Sequence, residues 1–554
     1  MAVNDQNTLV QRRISWAVFT AVIAIFAWLV IRDAWLCDDA FITLRVVDNF
    51  HNGHGLRWNV IERVQVFTHP LWCLTLLVVT WAFGNIALTT LWLSIIVSIL
   101  AFVLVVPKPG GSNSGLILVA LLIPASKAAV QYSTSGLEGP LSFLLLALLV
   151  LACGGLGPEW KQADRWVPLL AAAIVLTRQD LLLLVAPLCV AWLVRKDLRL
   201  TARPSLAGVG AIAAWELFSL IYYGSLIPNT ALAKLNTGLP LATKVAQGLR
   251  YVGDFAVRDP IGLIVLTSCL VVLVAVRKDL QARAVATGIS LYVLYIISIG
   301  GDFMSGRFFA APLFLAVAEN VRTVGENARL PRMATLAAGT TSVLLVGVHL
   351  VGFNGFSTEI VSSNGIADER RFYAPALSLG ALLDGRAIER VGWVHDAKAW
   401  RDKGPSGLIT DTIGLSGFYG GPNVHILDVV ALSDPLLARL PAKSDSRVGH
   451  FERRLPAGYK ESLLSRELQI EDPDLNRYCS VLWSVTRGPI WSAARFNESL
   501  RLVFGAYDPL LKAYLSRYGA WHREPGVPSV PTDFTIERLF VPEQVLHLPA
   551  DDAD

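Results

Sequence analysis

The sequence predicts a polytopic α-helical membrane protein of about eleven transmembrane helices, followed by a C-terminal mixed α/β domain on the non-cytoplasmic side. Three observations lead there. Charged residues make up only 17% of the 554 residues and mean hydropathy is +0.50, whereas soluble chains carry about 25% charge. The apolar residues fall in blocks through 1–353, and 354–554 reads like an ordinary soluble sequence. Lys and Arg gather in short loops between alternate blocks, the pattern that sets membrane orientation. The net charge of +4 is too small to argue for nucleic-acid binding.

The first block, 14–32, is longer than the core of a signal peptide, and no small-residue cleavage site follows it. It reads as a retained helix whose start is held in the cytoplasm by Arg12 and Arg13. The later spans are 86–106, 115–130, 139–153, 167–177, 181–194, 205–222, 261–276, 284–299, 308–321 and 333–353. Several fall short of the roughly 20 residues that a full crossing needs, so they must borrow flanking residues or sit within protein. Lys161 and Arg165 are expected inside, as are Arg195, Lys196, Arg199 and Arg203, then Arg277, Lys278 and Arg283, then Arg329 and Arg332. That placement gives one alternation across the cell inner (cytoplasmic) membrane, with the N-terminus cytoplasmic and the C-terminal domain periplasmic or extracytoplasmic. Segment 70–84 is also apolar, but as a crossing it would invert every later loop. It is expected to lie in, or re-enter, the outer interface; the alternative is a true span with one of the short blocks demoted. The expected division is a transmembrane catalytic domain, 1–353, with a first outer loop at 33–85, and an outer domain, 354–554.

The six cysteines form no CxxC pair and no legible zinc site. Cys153, Cys189 and Cys269 sit in or beside apolar blocks as small fillers. A Cys37–Cys479 disulfide would require both to face an oxidising compartment.

Under this topology five polar segments converge on the outer face. They are Cys37-Asp38-Asp39 through Arg45 (followed by His54-Gly55-Leu56), Ser133 to Glu138, Thr177-Arg178-Gln179-Asp180, Tyr222-Tyr223-Gly224 with Pro228-Asn229-Thr230 and Lys234, and Gly300 to Arg307 with Asp302. Each alone has a plainer explanation: a solvated helix end for Asp38 and Asp39, a buried pair for Arg178 with Asp180 or for Asp302 with Arg307, snorkelling for Lys234. Their co-location is what argues for a site, because ionisable groups at membrane depth are costly.

Such a set suits sugar transfer from a lipid phosphate to a hydroxyl. Phosphate leaves without a general acid, and cations beside it in a dry site stabilise the departing charge. Arg45, Arg178, Lys234 and Arg307 are the available cations, and Arg suits bidentate phosphate contact. The acceptor hydroxyl needs a base within hydrogen-bond reach, which Asp38 or Asp39 supplies. A divalent cation on that pair is compatible with the sequence, although no full ligand set is visible.

The run "DDAFITLRVVDNFHNGHGLRWN", with "TSGLEGPL", "LTRQD", "YYGSLIPNTALAK" and "GGDFMSGRFFAAPLF", resembles the GT-C class of polyprenyl-phosphate-dependent membrane glycosyltransferases. It is most like the terminal β-(1→2) arabinofuranosyltransferase branch that serves cell-wall arabinan. "DTIGLSGFY", "ILDVVALSDPLLARLP" and "RVGHFERRLPAGY" continue the resemblance, which runs in order over roughly 36–460. The resemblance implies a GT-C-like bundle, an interfacial helix after the first outer loop, and a catalytic base at Asp38 or Asp39, with Asp38 slightly favoured. It further implies inversion at the anomeric carbon, a decaprenyl-phosphate arabinofuranose donor, and a glycan, lipid or protein acceptor. The chain departs at Leu176–Asp180, where many relatives read "LTRPEG"; the acidic group survives as Asp180, and no role is pressed for that loop. Glu138, Arg178, Asp180 and Asp302 join Arg45, Lys234 and Arg307 as candidates for binding the donor phosphate or substrate. Two rivals remain: a GT-C enzyme moving another sugar, such as mannose, and a flippase or transporter of lipid-linked sugar. A transporter would more naturally show internal repeats, and none is visible.

In the outer domain, 407–410 and 424–427 read as strands and 435–440 as helix. Asp411, Asp428, Asp434 and His450 are candidates for acceptor contact, with turn and capping roles as the plainer explanation. Trp483, Trp491 and Trp521 are candidates for sugar stacking, with core packing the commoner use, and the acidic tail Asp551-Asp552-Ala553-Asp554 is expected to be disordered.

Overall fold

A computed structural model describes residues 2–109, 114–154, 163–195, 198–277, 279–326, 332–353, 355–518 and 546–547. Lys161, Lys196, Lys278, Arg329, Trp521 and the acidic tail lie outside the described residues. The described chain is mostly helical, and a helix underlies every expected span. Four helices are long and apolar enough for a full crossing: Leu9–Arg32, Ile86–Val105, Thr201–Tyr222 and Leu280–Ile299. A fifth arises if Leu241–Arg258 and Pro260–Val276, which meet at 108°, count as one broken span. Most of the remaining expected crossings correspond to apolar helices of 10–17 residues, the helix Arg307–Glu326 being longer but more polar.

Two elements differ from the expected pattern for visible reasons. The block 115–130 is three short helices, Ser114–Val119, Leu122–Ala125 and Lys127–Gln131, rather than one. The carboxylate of Asp259 fills the break, accepting from Ser126 Oγ at 2.6 Å, Ala128 N at 2.9 Å and Gly262 N at 2.8 Å. One side chain therefore satisfies amides at two helix starts, where the orphan donors of a helix need partners. The segment 241–258, given no role by its sequence, is an amphipathic helix that buries Tyr251 and Phe255. The apolar segment at 70–84 forms the helix Pro70–Phe83, with Pro70 in its first turn.

The C-terminal region is helical around a small sheet of order β2-β1-β3. Strand β1 (Ser406–Thr410) pairs in parallel with β2 (Val424–Asp428), from Ser406 opposite Val424 to Thr410 opposite Asp428, and β3 (Leu546–His547) lies antiparallel to β1. The helix expected at 435–440 is only a 3₁₀ turn, Leu437–Arg439. Asp434 Oδ1 caps Leu436 and Leu437 at 2.9 and 2.8 Å, and Leu440, held extended before Pro441, stops the turn after Arg439. Backbone bridges join this region to the bundle, Trp35 to Ser378 and Met304 to Ala367. All six cysteines are free, and both Cys37 and Cys479 are buried.

Candidate active site

The helix Asp38–His51 begins at the acidic pair. Two acids in the first turn favour a helix start, and what each carboxylate meets depends on helix periodicity. Asp38 is buried and turned towards the C-terminal region. Its Oδ2 accepts from Gly414 N at 3.0 Å and its Oδ1 from Leu415 N at 2.9 Å, at the start of the helix Gly414–Gly420. Glycine is required there, because a Cβ at 414 would collide with the Asp38 backbone carbonyl. Burial pushes the Asp38 carboxyl up to about 7, against the pull of the Leu415 amide.

Asp39 sits one step round the helix, about 100° away, and faces elsewhere. It has no hydrogen-bond or ion-pair partner among the described residues. Burial raises its pKa, opposed by Lys234 and then Arg307, with Asp302 and Glu138 acting in the same direction as burial. Those four groups therefore surround it electrostatically.

Glu138 is the hub of that surround. Arg307 Nη2 approaches its Oε1 at 3.3 Å and Arg178 Nη1 at 3.4 Å, while His69 Nδ1 stands 3.3 Å from its Oε2. Burial works against ionisation of Glu138, but Arg307, His69 and Arg178 together hold its carboxyl at about 2. His69 is driven the other way, to about 4 by burial, so its contact with Glu138 is a dipolar one and not an ion pair. Its Nε2 lies 2.8 Å from Thr43 Oγ1, one turn along from Asp39. Arg307 also reaches Asp302 at 3.4 Å. Arg178 is shared with Asp180, donating through Nε at 2.9 Å, and Tyr292 donates to the same carboxylate at 3.0 Å. Lys234 makes no hydrogen bond or ion pair among the described residues; its ammonium lies 5.7 Å from the centre of the Phe303 ring.

Thus Asp39, Glu138, Arg178, Asp180, Lys234, Asp302 and Arg307 come together, and Arg45 does not. Arg45 was expected to meet the donor phosphate, but its guanidinium is 1% exposed. It donates to the carbonyls of Trp58, Gly417 and Val424, each at 2.8 Å, and lies over the Trp58 ring. Seven residues from Asp38 is two helical turns, so Arg45 shares the face that Asp38 turns to the C-terminal region. It is a brace. Asn229 of the fourth segment is another tie, donating to the carbonyls of Ala431, Leu432 and Asp434.

The C-terminal candidates divide likewise. Asp428 takes the amides of Val430 and Ser433, and Asp434 takes Leu436, Leu437 and the Tyr459 hydroxyl, so both are turn and capping residues. His450 packs on Phe303 with ring centres 4.6 Å apart, and Asp411 senses Arg447; both border the cluster. Trp483 is covered by Arg487, and Trp491 is exposed away from any ring partner. The sequence reading missed His69, Glu369, Tyr373 and Arg447. His69 had a signal, as a polar residue at the start of an apolar helix. A cavity of about 520 Å³ lies beyond the far end of Asp38–His51, lined by Asp48, His51, Trp81, Phe418 and Tyr419. No member of the charged cluster lines it, and the chemistry follows the cluster. Among the described residues no group of three or more His, Cys, Asp or Glu is arranged to hold a metal ion.

Two proteins named terminal beta-(1->2)-arabinofuranosyltransferase are similar to this chain over most of its length. The one from Mycobacterium tuberculosis is 28% identical, covering 80% of this chain and 84% of its own. The one from Corynebacterium glutamicum is 26% identical, covering 75% and 72%. Both belong to the branch that the sequence motifs resemble. No family model matches the chain, and no solved structure does.

Proposed function

We propose that this chain is an inverting glycosyltransferase that moves a sugar, arabinofuranose by the names of its relatives, from a polyprenyl-phosphate donor to a glycan hydroxyl on the outer face of the membrane. The observation that carries the reading is Asp39, a half-buried carboxylate without a hydrogen-bond partner among the described residues, set within electrostatic reach of Lys234 and Arg307. Both carboxyls are raised above the ordinary range, but the oxygens of Asp38 are taken by the Gly414 and Leu415 amides, whereas those of Asp39 are open to an acceptor hydroxyl, which makes Asp39 the base in preference to Asp38. The acceptor O–H gives its proton to Asp39, and its oxygen bonds to the anomeric carbon on the face opposite the phosphate. The C–O bond to phosphate breaks with its electron pair, and the charge left on phosphate faces Lys234 and Arg307. Glu138 and Asp302 hold Arg307 at that place, and Asp38 fixes the C-terminal region above it. The reading keeps about eleven crossings, a cytoplasmic N-terminus and an outward C-terminal region.

The test supplies purified protein with a panel of polyprenyl-phosphate sugars and compares Asp39→Asn and Asp38→Asn with wild type. Asp39→Asn is expected to lower transfer about 10²- to 10⁴-fold, the usual worth of a general base. Full transfer by Asp39→Asn removes the assigned base. Cysteines engineered beside Glu138 and Asp302 are expected to react with impermeant reagent from outside; labelling from the cytoplasm alone overturns the topology.

A further inference from the structure

Resting on that reading, we propose that the C-terminal region completes the site with an acceptor-sugar subsite formed by Glu369, Tyr373 and Arg447. Glu369 opens the helix Glu369–Leu377 and is 9% exposed. The two residues before it are tied to the bundle. Asp368, just before it, receives Lys127 Nζ at 2.7 Å, and Ala367 N donates to Phe303 O at 2.7 Å. Tyr373 follows four residues on, hence on the same helix face.

Neither the Glu369 carboxyl nor the Tyr373 hydroxyl has a hydrogen-bond or ion-pair partner among the described residues. Both lie within electrostatic range of Asp38 and Asp39, and Glu369 also of Arg447 and Asp302, and the Met304–Ala367 bridge sets the start of their helix beside the Asp302–Arg307 segment. Arg447 is held by Nε on Gly365 O at 2.8 Å, and its guanidinium lies 5.8 Å from the Phe303 ring that Lys234 also approaches. Its Nη2 is buried with no partner. Buried polar groups are as a rule satisfied, and here an acid, a phenol and a guanidinium wait together. A ring bearing neighbouring hydroxyls supplies both donors and acceptors to such a set. An anion does not fit, because Asp38, Asp39, Asp302 and Glu369 all bear on this side. The donor phosphate therefore belongs with Lys234 and Arg307, and the neutral acceptor sugar with Glu369, Tyr373 and Arg447.

The experiment uses the full-length protein with decaprenyl-phosphate arabinofuranose as donor and a synthetic arabinofuranosyl oligosaccharide as acceptor. Glu369→Gln, Tyr373→Phe and Arg447→Lys are each expected to raise acceptor KM about tenfold, the loss of one well-placed hydrogen bond. Donor KM, and hydrolysis of donor by water without acceptor, should stay at wild-type values. Acceptor KM unchanged in all three variants, or donor KM rising in step with it, overturns the subsite. A second arm measures binding of the same oligosaccharide to Asp39→Asn protein with and without Glu369→Gln. Weaker binding in the double variant supports the subsite, and equal binding rejects it. Because that arm needs no turnover, a wild type that fails to use the donor rejects the proposed function without deciding the subsite.

Discussion

The helix Arg307–Glu326 meets a buried Arg–Glu cluster towards each end, and the two are built differently. Near its C-terminal end Glu319 is 0% exposed and tightly closed: Arg322 donates at 2.8 Å, Gln281 at 3.0 Å and Arg277 at 3.3 Å. Twelve residues earlier, about 18 Å along the axis, Arg307 meets Glu138, where the cation contacts are 3.3 and 3.4 Å and Oε2 has no hydrogen-bond partner. Buried charges that serve only the fold close on one another, since a desolvated ion gains most from short, complete pairing. Around Glu138 the cations are near without closing on it, although Arg178 closes on Asp180, and among the described residues Lys234 and Asp39 stand beside them without a hydrogen-bond or ion-pair partner. That openness is what a charged ligand needs.

Removing one carboxylate from each cluster tests this contrast. Glu319→Gln removes the buried carboxylate that Arg277 and Arg322 share and is expected to cost about 3–5 kcal/mol of stability, with donor KM of the folded fraction unchanged. Glu138→Gln is expected to raise donor KM about tenfold or more, because Arg178 and Arg307 lose the charge that positions them, with a smaller fall in melting temperature. Equal losses of stability with no change in donor KM would erase the distinction between the clusters. Arg45 sharpens it from a third place: Arg45→Met removes three buried hydrogen bonds, to the carbonyls of Trp58, Gly417 and Val424, and should cost on the order of 2–4 kcal/mol, with donor KM unaltered. Thermal unfolding of the purified protein, paired with donor titration, reads all three.

Much of the fold was legible because it rests on periodicity and apolar length, which act locally. The helices at 14–32, 86–106 and 284–299 and the apolar helix after the first outer loop follow from such patterns. The convergence of Glu138, Arg178, Asp302 and Arg307 was legible because charges avoid lipid and therefore share whatever shelter exists. Arg45 was misread because an Arg seven residues beyond an acidic pair looks functional until its partners, at 417 and 424, are known. Glu369 and Arg447 were invisible for the same reason: their meaning comes from Asp39, more than three hundred residues away in the chain. Asp38 and Asp39 are indistinguishable as letters, and only the 100° step between them sends one to the C-terminal region and the other to the cluster.

Asp38 and Glu138 also predict opposite responses to pH, the smallest effect expected and the most specific. Glu138 is depressed to about 2 from an ordinary 4.5, chiefly against burial and through Arg307. Its ionisation therefore supports the fold above about pH 4.5, and that support is lost as pH falls towards 2. Asp38 is raised by burial from 3.8 to about 7. Its contribution is complete below about pH 4 and is lost as pH rises through 7, where the folded state must ionise a buried carboxyl. Melting profiles of detergent-purified protein should therefore lose part of their neutral-side slope in Asp38→Asn and part of their acid-side slope in Glu138→Gln. Asp39, raised in the same direction as Asp38, must be ionised to accept a proton, so the acidic limb of kcat/KM should lie above the ordinary carboxylate value of about 4. It should remain in Asp38→Asn, since the base is still present. If the limb instead vanished with Asp38 and survived in the residual rate of Asp39→Asn, the two neighbours would have exchanged roles, and the face of the helix that turns to the C-terminal region would be the reactive one.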